Sequence, residues 1–272
     1  MRINSNVDAA NAARHVNMTQ ARLSSGLERL ASGRRINRAA DDAAGLAISE
    51  VITSQVRGLN QAVRNAQDGV SLIQTADGAL SQTSDVLQRM RELTVQAGNG
   101  TLSASQRTAI QSEITELQGV VDRVAGGAQF NGRQLLDGTT PTVQLQTGAN
   151  AGDTSQVSLT DATATGLSVA GAAIDVSTPA AANASLAVID QAIDQVTSAR
   201  AELGAQQNAI GNVIASNNVS SENQASAVSR IRDLDYASGV AATTRDQILS
   251  QFGAAVQAQA NVSRESVLRL LR

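Results

Sequence analysis

Between Gly45 and Gly98 the apolar side chains recur in alternating steps of four and three, at Ile52, Val56, Leu59, Val63, Ala66, Val70 and Ile73, with Leu80 and Leu87 extending the line. A 4-3 spacing gathers side chains onto one stripe of an α-helix. Held over about 54 residues, it predicts a rod of roughly 80 Å at the helical rise per residue. No compact domain encloses a helix of that length, so its stripe has to be covered by other long helices. The chain is thereby confined to a mainly α fold, a long antiparallel helical bundle or coiled coil. Gly98-Asn99-Gly100 ends the first rod, because glycine is favoured just past a helix C-terminus.

The pieces that follow can be read in the same way. Ser103 with Gln106 forms a capping box, and Ile110, Ile114, Leu117, Val121 and Val124 mark a second helix that folds back antiparallel. Gly126-Gly127 stops it, and QFNGRQLLDG carries dense turn chemistry in Asn131-Gly132 and Asp137-Gly138. Beyond Pro141, Val143 and Leu145 alternate with polar neighbours, and alternation resumes at Val157 and Leu159 after a turn through Gly148 to Asp153. This is a β-hairpin. The stretch to Thr178, with scattered Leu167, Val169, Ile174 and Val176, has room for one more short strand or hairpin. Thr178 then caps a third long helix with Pro179 at its first position. Its seam runs through Ile189, Ile193, Val196, Leu203, Ile210, Ile214, Val228 and Ile231, weakened by polar Asn217, Ser221 and Gln224.

Both chain ends carry a heptad of their own. Ala9, Val16, Leu23 and Leu30 recur every seven residues beside Ala13 and Leu27, up to Ser32-Gly33. Leu234, Ala241, Ile248, Ala255 and Val262 do the same, three residues out of phase with Ile231. Such a shift overwinds a coiled coil locally, and a domain boundary is expected there. The expected organisation is therefore a terminal-helix coiled coil, 1–44 with 233–272, and a separate domain, 45–232, with helices about 45–98, 103–126 and 179–232 and a β-hairpin region about 140–177. An amphipathic helix at each end can bury its stripe only on the other or on another molecule. The termini are expected to order on assembly.

Composition removes most other classes. The net charge is −3 with the signs interspersed, which gives no basic face for nucleic acid and no polybasic patch for a membrane. No segment approaches a membrane span, and the N-terminus lacks the apolar run of a secretory signal. There is no cysteine, and His15 is the single histidine, so no zinc motif exists and no cofactor is expected. Asp41-Asp42 could be paired catalytic carboxylates, but beside a helix start they read as capping acids. Gly126-Gly127 follows no strand and has no Lys or hydroxyl partner for a phosphate. No nucleophile and base are arranged for hydrolysis, so an enzyme is not expected. All 21 basic residues are Arg, suited to bidentate pairing at packed interfaces, although a GC-rich coding bias accounts for this equally well.

Several long motifs resemble bacterial flagellin: LERLASGRRINRAADDAAGLAIS, RNAQDGVSLIQTADGAL, LQRMRELTVQAGNG and QFNGRQLL in the first half, SRIRDLDYASGVAATTRDQILSQ and the closing LRLLR in the second. The similarity covers about 1–140 and 180–272. It implies that the terminal helices form a coiled coil lining the inner tube of a filament and that 45–232 forms a surrounding rod layer. VQLQTGANAGDTSQVSL resembles the rod's hairpin, and only a short segment stands where larger flagellins insert outer domains. The resemblance departs at Val262-Ser263-Arg264-Glu265, where the family often has a proline. It further implies an extracellular subunit of the swimming filament, exported unfolded through the type III apparatus, with itself, hook-associated and cap proteins and an export chaperone as partners. The implied self-assembly core is Ala9, Val16, Leu23, Leu27, Leu30, Leu234, Ala241, Ile248, Phe252, Ala255 and Val262. Arg89, Leu93 and Glu113 match positions through which the Toll-like flagellin receptor is contacted, with packing between subunits as their ordinary role. The rival reading is a chemoreceptor-like signalling bundle, which shares Ala, Gln and Ser-rich heptads but calls for a membrane anchor and leaves the hairpin unexplained.

Overall fold

The computed structural model describes residues 6–270, with side chains as far as Val262. The side chains of Ser263, Arg264 and Glu265, and those of LRLLR, lie outside the described residues. In chain order the elements are α1 (Val7–Ser32), α2 (Ala43–Ala97), α3 (Ala104–Gly127), β1 (Gln129–Phe130), β2 (Arg133–Gln134), β3 (Thr142–Gln146), β4 (Thr154–Ser158), α4 (Pro179–Arg232) and α5 (Tyr236–Leu270). Two compact units divide them, Met1–Ser54 with Asn223–Arg272 and Gln55–Glu222. The division falls inside α2 and α4 rather than at the helix ends.

The helix termini follow their local chemistry. At the start of α3 the Ser103 hydroxyl accepts from the Gln106 amide while the Gln106 side chain accepts from the Ser103 amide. The Thr178 hydroxyl accepts from Ala181 at the start of α4. The adjacent acids divide the work before α2: Asp42 accepts from the Gly45 amide at 2.8 Å, whereas Asp41 accepts from Arg29 and from the amides of Asn37 and Arg38. Only Asp42 caps.

Within the Gln55–Glu222 unit, α2, α3 and α4 pack with the hairpins around one core. Ion pairs Arg91–Asp190 and Arg200–Asp77, with Ser221 bonded to Asn60, run in opposite directions along α2 and α4 and show them antiparallel. The expected heptad line Leu59, Ala66, Ile73, Leu80 and Leu87 is buried. The companion line differs from expectation. Val56, Val63 and Val70 are only half-buried, and the inner positions are Ala62, Gly69, Ala76, Thr83, Met90 and Ala97. In α4, likewise, Ala192 is buried where Ile193 was expected, with Ala182, Ser185 and Ala199 in line. Small side chains win these positions because they admit close neighbours. Leu145 of β3 occupies the space a Cβ on Gly69 would need.

The Asn131-Gly132 turn, at φ 51° and 76°, closes a two-residue ladder between β1 and β2. Strands β3 and β4 form the expected hairpin with Val143 opposite Val157. From Leu159 to Thr178 no third hairpin forms. Leu167, Val169, Ile174 and Val176 are all buried, but no ladder forms: the Leu167 and Val169 amides donate to the Thr163 and Ala164 carbonyls in local turns, and side chains meet other backbone groups of the segment. Gln118 donates to the carbonyls of Val169 and Gly171, Gln111 bridges the Ile174 carbonyl and the Val176 amide, and Ser185 bonds both backbone groups of Asp175. Asp137, Asp161 and Asp175 each fold the chain onto the residue two further on.

In the other unit, the phase shift after Ile231 is a break between two helices and not an overwound helix. α4 ends at Arg232, and Asp233 pairs with Arg34 in an isolated antiparallel bridge. The Arg35 amide donates to Arg232 and the Leu234 amide to Gly33. Asp235 then accepts from the Ala237 amide to open α5. A bridge and a new cap satisfy backbone groups that a tightened helical turn would have used internally.

Candidate interaction surface

Helices α1 and α5 pack antiparallel. The space beside Gly239 is filled by Leu234 and Leu30, that beside Gly26 by Thr243 and that beside Gly253 by Val16, while Ser250 bonds Gln20 and the Asn6 amide group donates to the Ala260 carbonyl. At the α5 entrance the Tyr236 hydroxyl donates to the Leu30 carbonyl at 2.8 Å. The face that α5 turns to α1 is thus Gly239, Thr243, Asp246, Ser250, Gly253, Gln257 and Ala260, spaced four and three without a break. Every member is small or polar.

The large apolar side chains of α5 lie on the opposite face. At 100° per residue, Ala241, Ile248, Phe252, Ala255 and Val262 cluster about half a turn from that seam, with Leu249 and Val256 on the flank between them. All are exposed, Ile248 by 47% and Phe252 by 68%. Of the expected α1 positions, Ala9, Val16, Leu23 and Leu30 are half-buried, as is Leu234, whereas Leu27 is exposed. The two expected heptads are therefore not brought together: the α1 line meets a polar face of α5, and the α5 line from Ala241 to Val262 is exposed. Hydrophobicity alone could not tell the two faces of α5 apart, but the Gly and Ser positions at heptad spacing carried the signal for the inner one.

In the second unit, Arg89 is paired with Glu113 at 2.9 Å and with Glu92 at 3.2 Å, all three exposed. The hydrogen bond that Arg89 donates to Glu113, then that to Glu92, holds the guanidinium still more firmly protonated than usual. Leu93 is only 3% exposed and belongs to the core. Among the described residues no group of three or more His, Cys, Asp or Glu could hold a metal ion, and no helix is long and apolar enough to cross a membrane.

Among the described residues, α5 thus presents its apolar face away from α1. Residues 3–141 match the bacterial flagellin N-terminal helical region, and residues 186–271 match the bacterial flagellin C-terminal helical region. The chain belongs to the bacterial flagellin family. The flagellin of Halalkalibacterium halodurans is 44% identical over 272 residues, covering all of both chains. The flagellar filament 33 kDa core protein of Treponema phagedenis is 42% identical over 286 residues, again covering both in full. A Bacillus cereus flagellin crystal structure superposes with a TM-score of 0.51 at 31% identity, over 57% of this chain and 88% of that one. This flagellin is a structural subunit of the flagellar filament, from a family that is structural rather than enzymatic, and its long helices with small antiparallel hairpins are the fold expected of it.

Proposed function

We propose that the α1–α5 pair is the self-assembly element, and that the outward stripe of α5, Ile248, Phe252, Ala255 and Val262 with Leu249 and Val256, is buried on neighbouring copies in the filament. The observation that carries this reading is the exposure of that stripe on the side away from α1. Copies joined through such a face make a heterologous contact that does not close, which generates a helix rather than a ring. Residues 1–44 and 233–272 then form the inner layer and 45–232 the rod layer. The filament lies outside the cell, and the subunit reaches it through the type III apparatus, served by an export chaperone and meeting hook-associated and cap proteins. The termini gain order when copies assemble. Recognition by a Toll-like receptor would engage the exposed Arg89 and Glu113, with Leu93 acting from beneath as a packing residue.

The test compares Ile248→Asp with Leu23→Asp. Ile248→Asp abolishes filaments seen by electron microscopy and leaves the monomer's circular dichroism and melting unchanged, because the charge enters only the contact between copies. Leu23→Asp abolishes filaments and also weakens the α1–α5 pair. Normal filaments from Ile248→Asp would end this reading.

A further inference from the structure

The inner face of α5 contains one charged residue. Gly239, Thr243, Ser250, Gly253, Gln257 and Ala260 are neutral, so they can select an alignment of the α1–α5 pair by shape and not by charge. Asp246 differs. It is only 8% exposed and lines a cavity of about 600 Å³ between the helices, together with Arg22, Arg29 and Ser25. Neither Asp246 nor Arg22 has a hydrogen-bond or ion-pair partner among the described residues. Arg29 is already engaged by Asp41 at 2.8 Å.

The contacts Gly239 with Leu30, Thr243 with Gly26 and Gly253 with Val16 share one register, since each step along α5 is matched by an equal step back along α1. That register sets Asp246 opposite Leu23, one residue from Arg22. We propose that Asp246 is the register-determining residue of the α1–α5 pair and that Arg22, turned in across the shared cavity, is its counter-ion. A carboxylate at a seam requires water or a cation beside it, and a charged or polar residue there specifies alignment. Sliding α5 by one heptad in either direction would carry Asp246 to Val16 or to Leu30, both apolar, and away from Arg22. The uncharged seam positions add only shape to this selection, as where Thr243 fills the space beside Gly26. The lock lies within one chain and goes beyond the assembly proposal without resting on it.

The absence of cysteine makes register directly readable in the full-length protein by paired cysteines. Gln20→Cys with Ser250→Cys reports the described alignment, whose side chains are hydrogen-bonded at 3.2 Å. Gln20→Cys with Gln257→Cys, or with Thr243→Cys, reports a slide in one direction or the other. Intramolecular disulfides are separated from intermolecular ones by mobility on denaturing gels, in dilute and in polymerised samples. With Asp246 present the 20/250 pair joins almost alone. In Asp246→Ala the two slid pairs rise several-fold, or all three pairs fall together as the helices separate. The exchange Arg22→Asp with Asp246→Arg restores the native pattern. An unchanged pattern in Asp246→Ala, or an exchange that fails to restore it, overturns the assignment. Filament growth scored on the same samples reports separately on the assembly proposal.

Discussion

Truncating Phe252 to alanine isolates the contribution of one side chain to growth. Phe252 is 68% exposed on the outward face of α5, so about two thirds of its surface remains to be buried by a neighbouring copy. Full burial of a phenylalanine contributes about 1.5–3 kcal/mol, and two thirds of that is about 1–2 kcal/mol. Loss of this amount per added subunit raises the critical concentration for polymerisation by a factor of about 5–30. Seeded growth followed by sedimentation at a series of protein concentrations measures it. The monomer serves as internal control: a side chain with two thirds of its surface in water contributes little to the α1–α5 pair, and the melting curve of Phe252→Ala should overlay that of the parent. An unchanged critical concentration, or a destabilised monomer with normal growth, would refute the reasoning, since either places the side chain's energetic role inside one chain.

Three further outcomes follow from the fold. Gln118→Ala leaves the Val169 and Gly171 carbonyls without their donor; a loss of about 1–3 kcal/mol is expected, with faster hydrogen exchange confined to the segment between β4 and α4. Ser103→Ala removes half of the capping box and should cost about 1 kcal/mol in chemical denaturation of the rod helices. On acidification, Asp41 is held at about 2 by its hydrogen bond from Arg29 and then those from the amides of Arg38 and Asn37. A carboxylate whose folded value is lowered contributes stability that is complete above its ordinary value of 3.8 and is lost as pH falls toward 2. Asp137 and Asp175, lowered by their bonds to Thr139 and Ser177, add in the same direction. The acid melting transition of Asp41→Asn should therefore depend less on pH across that interval than the parent's.

What could be read in advance was whatever local chemistry decides. The capping box at Ser103, the Thr178-Pro179 start, the Asn131-Gly132 turn and the primary heptad line of α2 each depend on residues within a turn or two of one another, and each is present. The companion lines of α2, α4 and α5 were not readable from hydrophobicity. Large apolar residues draw the eye to Val63, Ile193 and Ile248, whereas close packing favours Ala62, Ala192 and Gly253 beside their neighbours. Tertiary approach distance decides between the two, and one strand of sequence does not contain it. The same holds for the stretch after β4, where Val169 and Ile174 are core residues without strand partners and their carbonyls are met by Gln118 and Gln111, far away in sequence. The break at Asp233 was visible as a phase shift, but only the meeting with Arg34 turns it into an interruption of the helix.

Two unlike faces on α5 also bear on supply. On the proposed assembly, the side covered by another copy is bare again on each newcomer, so a growing tip offers the next arrival what it offered the last. Elongation of this kind has no natural terminus of its own; length is set by how many subunits are delivered and by whatever cap is placed at the end.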